Sequence, residues 1–381
     1  SDGTANLTLA GTYGGNGRYS SVGTLGLSAA QVTLGTATSI AGGGDTTINA
    51  GGLSNAGRLT SGGSMAVTAN SIGNTGTLGA TQDLTLKTPT LVNDHGLIFS
   101  GRNMGLLVND FTNDNGDVYS IGNLNISGLN GGRANSVTNL ASSINVDGDF
   151  SLSANSFNNK TEGVIGKERL VSGDITFNGS TFYIAENYTS ESTISGTRAS
   201  LAVAGNIDGD VGRFSNTAST ISAGKNIRLN VDTFENLGLE AGNFARNRVY
   251  TGVRNIFTNK TYANEALDAY ARRYSQYVYR YTKTVHEPDK GGTHTELNDY
   301  GKQKTTTVNT KFGQGPDVAI PAGILAGTLS SDNKVFTAGG GSVASVVQAG
   351  QAIQINAKNT IDNSNLHANT QFSGTTKTGT G

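Results

Sequence analysis

Seven residues between positions 270 and 281, Tyr270, Arg273, Tyr274, Tyr277, Tyr279, Arg280 and Tyr281, make the densest cluster of tyrosine and arginine in the chain. Both types anchor macromolecular recognition, because each gives a large contact area with a polar tip at modest entropic cost. These seven are the candidate binding residues. Their segment is basic as well: twelve Lys and Arg face six Asp and Glu between Arg246 and Lys311, while the first 120 residues carry four basic and seven acidic side chains. A basic, aromatic surface suits a protein or an anionic partner such as the phosphates of lipopolysaccharide. Nucleic acid would also stack on such rings, but no nucleic-acid motif is present and that partner is set aside.

Other groupings carry weaker chemistry. His286, Glu287, Asp289, His294 and Glu296 put two imidazoles and three carboxylates within eleven residues. Their spacing fits no zinc pattern, and Pro288 with Gly291 and Gly292 reads as an exposed turn. Asp94, Asp114 and Asp117 fall on neighbouring corners where oxygen ligands for calcium would have to converge, and Gly42-Gly43-Gly44-Asp45 is one fragment of a calcium-repeat pattern that does not recur. No metal or other cofactor is expected. Asp208-Gly209-Asp210 with Arg213 is the closest approach to the paired carboxylates of a polysaccharide lyase or hydrolase. It sits on a single corner, the remaining acidic residues are scattered, and a non-enzymatic chain is expected.

A repeating frame must position all of these. Asn55, Asn74, Asn93 and Asn113 recur at intervals of 19, 19 and 20 residues, and Gly57, Gly76, Gly96 and Gly116 keep step with them. Each unit holds a short alternating run, a polar Asn-x-Gly corner and a second apolar run. Alternation turns one face of each run inward, and Gly and Asn tolerate the corners. Units of about 20 residues stacked one strand spacing apart, ~4.8 Å, form a parallel β-helix. A fixed repeat stacks like on like, so Asn55, Asn74, Asn93 and Asn113 are expected to form a structural ladder, each amide donating to the next carbonyl.

Apolar residues at 35% and charged residues at 14% would lean toward disorder in a non-repeating chain, but with 54 Gly they fit thin units with many corners. The absence of Cys excludes a disulfide scaffold, a thiolate metal site and a cysteine nucleophile. It also suits export through an oxidising periplasm. No apolar run is long enough to span a bilayer, and the absence of a leader at Ser1 suggests an interior piece of a longer chain.

The frame is cleanest over residues 53–127. It slips through residues 129–142 and 162–170, which read as loops budding from corners. Asn158, Asn216 and Asn236 then resume it. The expected organisation is a repeat trunk over residues 1–245, an insertion over 246–315, and a return to repeats over 316–381, with Asn363 on a corner. Roughly fifteen rungs at ~4.8 Å would extend the trunk about 70 Å. Within the insertion, residues 261–280 suit a helix capped by Thr261 with Tyr270, Tyr274, Tyr277 and Tyr281 on one face. Residues 277–283 alternate equally well as a strand, and both readings stay open.

Residues 223–242 (AGKNIRLNVDTFENLGLEAG) and 349–368 (AGQAIQINAKNTIDNSNLHA) resemble the haemagglutinin repeat of filamentous haemagglutinin-like exoproteins: a small-Gly start, an alternating strand, an apolar-x-Asn corner and a second strand. That family includes adhesins and the CdiA-type contact-dependent growth inhibition proteins of Gram-negative bacteria. The resemblance implies an all-β, right-handed β-helical filament, secreted by two-partner secretion through an outer-membrane transporter and held at the cell surface. It also implies that the insertion binds a receptor, an outer-membrane protein or lipopolysaccharide, on a target bacterium for toxin delivery. An adhesin that binds host-cell glycan or matrix is the alternative within the same resemblance.

Overall fold

A computed structural model describes residues 3–162, 164–178, 181–194, 196–239, 242–251, 278–282, 284–287, 292–295, 305–309, 328–338 and 343–366. Within them the protein is all-β, without helix. Two sheets of parallel strands dominate. The long sheet has thirteen strands and the short-strand sheet ten. In the long sheet Leu84–Asp94 pairs with Met104–Asp114 one repeat later, and Ile207–Thr217 with Ile227–Leu239. In the short-strand sheet Leu97–Ser100 pairs with Asp117–Ser120 in the same manner. One long-sheet strand, or pair of strands, and the short strand after it make a rung. The arrangement is compatible with a parallel β-helix.

Alternation builds the core. In Leu84–Asp94 the inward Leu84, Leu86, Thr88, Leu91 and Asn93 are buried, as are their register partners Met104, Leu106, Val108, Phe111 and Asn113. The apolar position two before the corner Asn becomes a column of rings lower in the stack. Phe157 and Phe214 lie 4.8 Å apart between centroids, Phe214 and Phe234 5.8 Å. Each such side chain contributes about 1.5–3 kcal/mol by leaving water.

The corner Asn form a continuous ladder. Asn55, Asn74, Asn93, Asn113, Asn139, Asn159, Asn216, Asn236 and Asn363 are joined by bonds of 2.7–2.9 Å, each Nδ2 donating to the Oδ1 of the next. The second amide hydrogen serves backbone carbonyls, as Asn93 does for Gly96 at 2.9 Å and Asn139 for Ser142 at 3.0 Å. Full satisfaction is what makes buried amides tolerable. Two corner lengths occur. After Asn55 and Asn74 the glycine follows at the second position, and a Cβ on Gly76 would stand 2.1 Å from the Gly57 carbonyl oxygen. After Asn93, Asn113, Asn139 and Asn216 the corner is longer, and His95, Asn115, Ala141 and Ala218 take the left-handed conformation at φ 48–55°.

Several expectations are corrected. Within residues 129–142 the strand Ala134–Leu140 carries Asn139 in the ladder, and the departure is confined to residues 128–133. Residues 164–170 begin the strand Val164–Asn178 rather than a loop. Asn159, not Asn158, continues the ladder, because Phe157 points inward and its second neighbour must as well. Among the described residues the path of the long sheet runs through eleven strands, against the roughly fifteen rungs expected, ten spacings or about 50 Å. The strands of residues 164–178, 181–194, 242–251 and 328–338 lie outside the stack in a separate sheet.

Candidate recognition surface

Both departures start at the same corner. The first follows Phe150–Lys160, just past Asn159, and the chain rejoins at Ser200–Val203. The second follows Ile227–Leu239, past Asn236, and rejoins at Val346–Ala349. One uninterrupted rung, Ile207–Thr217 with Thr220–Ala223, separates them, so they emerge about 10 Å apart on one edge. They merge into a four-stranded antiparallel sheet. The hairpin Val164–Asn178 and Thr181–Ile194 belongs to the first, Gly242–Thr251 and Thr328–Ala338 to the second, and Thr181–Ile194 pairs with Gly242–Thr251 across the join. The second departure thus begins at Gly242, four residues before its charge change at Arg246.

The stem strands Gly242–Thr251 and Thr328–Ala338 are stapled by a bidentate pair. Arg246 Nε and Nη2 donate to Asp332 at 2.8 and 2.6 Å, and the Arg246 side chain is only 8% exposed. On the sheet's open face Asn243, Asn247, Thr251, Asn333, Val335 and Thr337 are exposed. Residues 252–327 run between the two stem strands, and Thr251 pairs with Thr328.

The predicted binding residues belong to that span. Tyr279, Arg280 and Tyr281 lie in the strand Val278–Thr282, which pairs with Thr305–Asn309 and whose backbone lies beside Val164–Asn178. The strand reading therefore holds for residues 278–282. Tyr270, Arg273, Tyr274 and Tyr277 lie outside the described residues, as does most of the helix expected over 261–280. His286 and His294 sit in the paired strands Thr284–Glu287 and Gly292–Thr295, opposite Thr293 and Val285; Asp289 and Glu296 lie outside the described residues. Among the described residues no group of three His, Asp or Glu is placed to hold a metal ion, and no helix is long and apolar enough to cross a membrane.

The carboxylates are committed to neighbours. Asp94 Oδ1 meets His95 Nδ1, Asp114 accepts from Asn115 Nδ2 at 2.9 Å, and Asp117 accepts from Ser143 Oγ. Asp208 and Asp210 lie in a strand, not on a corner, and do not pair with Arg213, which bonds Glu235. Arg228 clasps Asp208 at 2.7 and 3.0 Å, and Arg133 reaches Asp210 at 3.1 and 2.5 Å. Asp208, Asp210 and Arg228 border a shallow groove of about 450 Å³ with Ser151, Ser153, Asn230 and Asn356. The Arg133 guanidinium holds Asp210 below the usual carboxylate range. A general acid needs the opposite displacement.

A second column was missed in the sequence. Asp45 is one member of a row in which each side-chain oxygen accepts the backbone N–H opening the next rung. Asp45 accepts from Ser64 at 2.8 Å, Asp83 from Asn103 at 3.0 Å, Asn123 from Asp149 at 2.8 Å, and Asp149 from Asn206 at 2.7 Å. The Gly-Gly-Gly-Asp fragment is therefore a capping site of this row. The signal was Asp or Asn directly before the first inward residue of a long-sheet strand, as in Asp83-Leu84, Asn103-Met104, Asn123-Leu124 and Asp149-Phe150.

The N–H of Asn206 holds Asp149 low, and Lys358 does the same for Asp232. A carboxyl whose folded pKa lies below its unfolded value stabilises fully above the latter and loses that contribution as pH falls through the former. Asn206 directly precedes Ile207–Thr217 and Asp232 lies in Ile227–Leu239, so backbone protection in these two strands should weaken before that of Leu84–Asp94 as pH drops below about 4. Hydrogen exchange across a pH series checks this, and simultaneous loss in all three strands would refute it. Comparison of the chain with protein-family models, characterised proteins and solved structures found no match.

Proposed function

We propose that the parallel stack is a right-handed parallel β-helix, one segment of a secreted, cell-surface filament of the filamentous haemagglutinin-like type. In this reading the antiparallel sheet and residues 252–327 recognise a receptor on a neighbouring bacterium for contact-dependent toxin delivery. The receptor is an outer-membrane protein or lipopolysaccharide, and an outer-membrane transporter is the partner during export. One observation carries the reading. Two separate departures from the stack leave by one corner and join in one sheet, and the strands that flank residues 252–327, Gly242–Thr251 and Thr328–Ala338, belong to that braced sheet. A linear stack gives reach, and a braced stem gives a fixed presentation that lowers the ordering cost of binding.

The basic and tyrosine-rich composition of residues 246–311 supports the choice of partner. The committed carboxylates of Asp208 and Asp210 favour binding over bond cleavage. The test is binding of the labelled chain to a panel of Gram-negative cells, with and without residues 252–327. Saturable binding lost with those residues is expected, and equal binding by both forms would overturn the assignment.

A further inference from the structure

Four Asn-Gly pairs occur in the chain: Asn16-Gly17, Asn115-Gly116, Asn130-Gly131 and Asn178-Gly179. Such a pair carries its own electrophile and nucleophile, the side-chain carbonyl carbon of the asparagine and the backbone nitrogen after it, and glycine leaves that nitrogen without a neighbouring Cβ to shield it. What already holds the two groups decides whether they meet. In Asn115-Gly116 both are held. Asn115 Nδ2 donates to Asp114 at 2.9 Å and to Glu162 at 3.3 Å, and the Gly116 N–H donates to Ser142 Oγ at 3.0 Å. In Asn130-Gly131 the asparagine is exposed, but the Gly131 N–H donates to the Gly128 carbonyl at 3.0 Å. Gly179 lies outside the described residues.

Asn16-Gly17 differs from both. The pair is exposed at the corner between Ala5–Gly15 and Arg18–Ser21, and among the described residues neither the Asn16 amide nor the Gly17 N–H has a hydrogen-bond partner. The local sequence explains why. Gly57 holds the same place two rungs later, and its N–H donates to Asn55 Oδ1 at 3.2 Å. The residue that stands in the column of Asn55 here is Gly15, which has no side chain to accept.

We propose that Asn16-Gly17 is a site of spontaneous deamidation in the folded chain, with water as the co-reactant. The Gly17 nitrogen loses its proton and bonds Asn16 Cγ. The Cγ–Nδ2 bond breaks, Nδ2 leaves as ammonia, and a succinimide ring closes. Water then opens the ring at either carbonyl, giving aspartate where the new N–Cγ bond breaks and isoaspartate where the original peptide bond breaks. Ammonia is exchanged for water, and nothing is oxidised or reduced. Both products place a carboxylate two residues before Arg18. Isoaspartate also lengthens the main chain by one carbon at a corner where the Gly15 and Gly17 carbonyls accept from the Gly35 and Ser39 N–H groups, each at 3.2 Å. The site is independent of any receptor recognition by the antiparallel sheet.

Peptide mapping by mass spectrometry tests it on the full chain, aged at neutral pH both folded and in denaturant. Conversion is read as a mass rise of about 1 Da. In the folded chain Asn16 should convert about fivefold or more faster than Asn115 and Asn130, whose glycine N–H groups must first give up a hydrogen bond. In denaturant the three rates should converge, and the rate at Asn16 should rise with pH, because the attacking nitrogen has to lose a proton. A Cβ on Gly17 would meet nothing within 4 Å, so Gly17→Ala should fold normally while shielding the nitrogen, and should slow conversion about tenfold. Hydrogen exchange at Gly35 and Ser39 should quicken in the aged chain and stay unchanged in Leu84–Asp94. Absence of conversion at Asn16, equal rates at the three sites in the folded chain, or a rate unaltered by Gly17→Ala would overturn the assignment.

Discussion

Asn113→Ala should destabilise the parallel stack by about 3–5 kcal/mol, whereas Asn363→Ala should cost less than about 1 kcal/mol. The two residues share a column but not a position in it. Asn113 accepts from Asn93, donates to Asn139 at 2.9 Å, and also serves the carbonyls of Gly116 and Ser143 at 3.2 Å. Its loss strands an acceptor on Asn139 and those two carbonyls, in a place where Asn93, Asn113 and Asn139 have no exposed surface. Each stranded group costs about 1–3 kcal/mol, because water cannot reach it. Asn363 accepts from Asn236 at 2.8 Å in an exposed position, where water replaces what is lost. Chemical denaturation measures the difference, and hydrogen exchange locates it, since stacked repeats lose structure locally. Equal effects at the two positions would show that the ladder does not support its neighbours.

The second large effect is on binding. Because Thr251 and Thr328 face each other in antiparallel register, residues 252–327 can be replaced by Asn-Gly, the pair that closes a two-residue hairpin. The shortened chain should keep its β-sheet signal and melting temperature and lose cell binding to background. A cut placed at the charge boundary, over residues 246–312, is a poorer test. It would remove Arg246, the bidentate partner of Asp332, together with the second half of the stem strand Gly242–Thr251, so a loss of binding could come from a disrupted sheet. Retained binding in the Asn-Gly form would move recognition to the hairpin Val164–Ile194 or to the stack. Salt dependence in the intact chain would then separate an anionic lipid from a protein receptor.

What the sequence disclosed and withheld follows from the range of each interaction. Asn55, Asn74, Asn93 and Asn113 were visible because neighbours in the stack are a constant distance apart in the chain. Asn139 was hidden when residues 128–133 stretched one interval to 26 residues. Asn159 was confused with its neighbour Asn158 because the hairpin after it made the next interval 57. The capping row escaped notice because Asp and Asn share one role there, and a search for one recurring residue does not register it. Least visible was the joining of Thr181–Ile194 to Gly242–Thr251. Antiparallel pairing between separate departures leaves no period in the chain, and the charge change at Arg246 marked composition rather than the strand's start.

The ladder of amides also has a direction. All eight bonds run the same way, from the earlier residue's N–H to the later residue's carbonyl. Aligned amide dipoles add, as they do along a helix, so the column is electrically polar along the stack. The two ends of the column therefore differ: Asn55 has no earlier asparagine among the ladder's members, and its carbonyl accepts the Gly57 N–H at 3.2 Å instead. A stack built this way has a head and a tail, so a second stack could continue the column only head to tail.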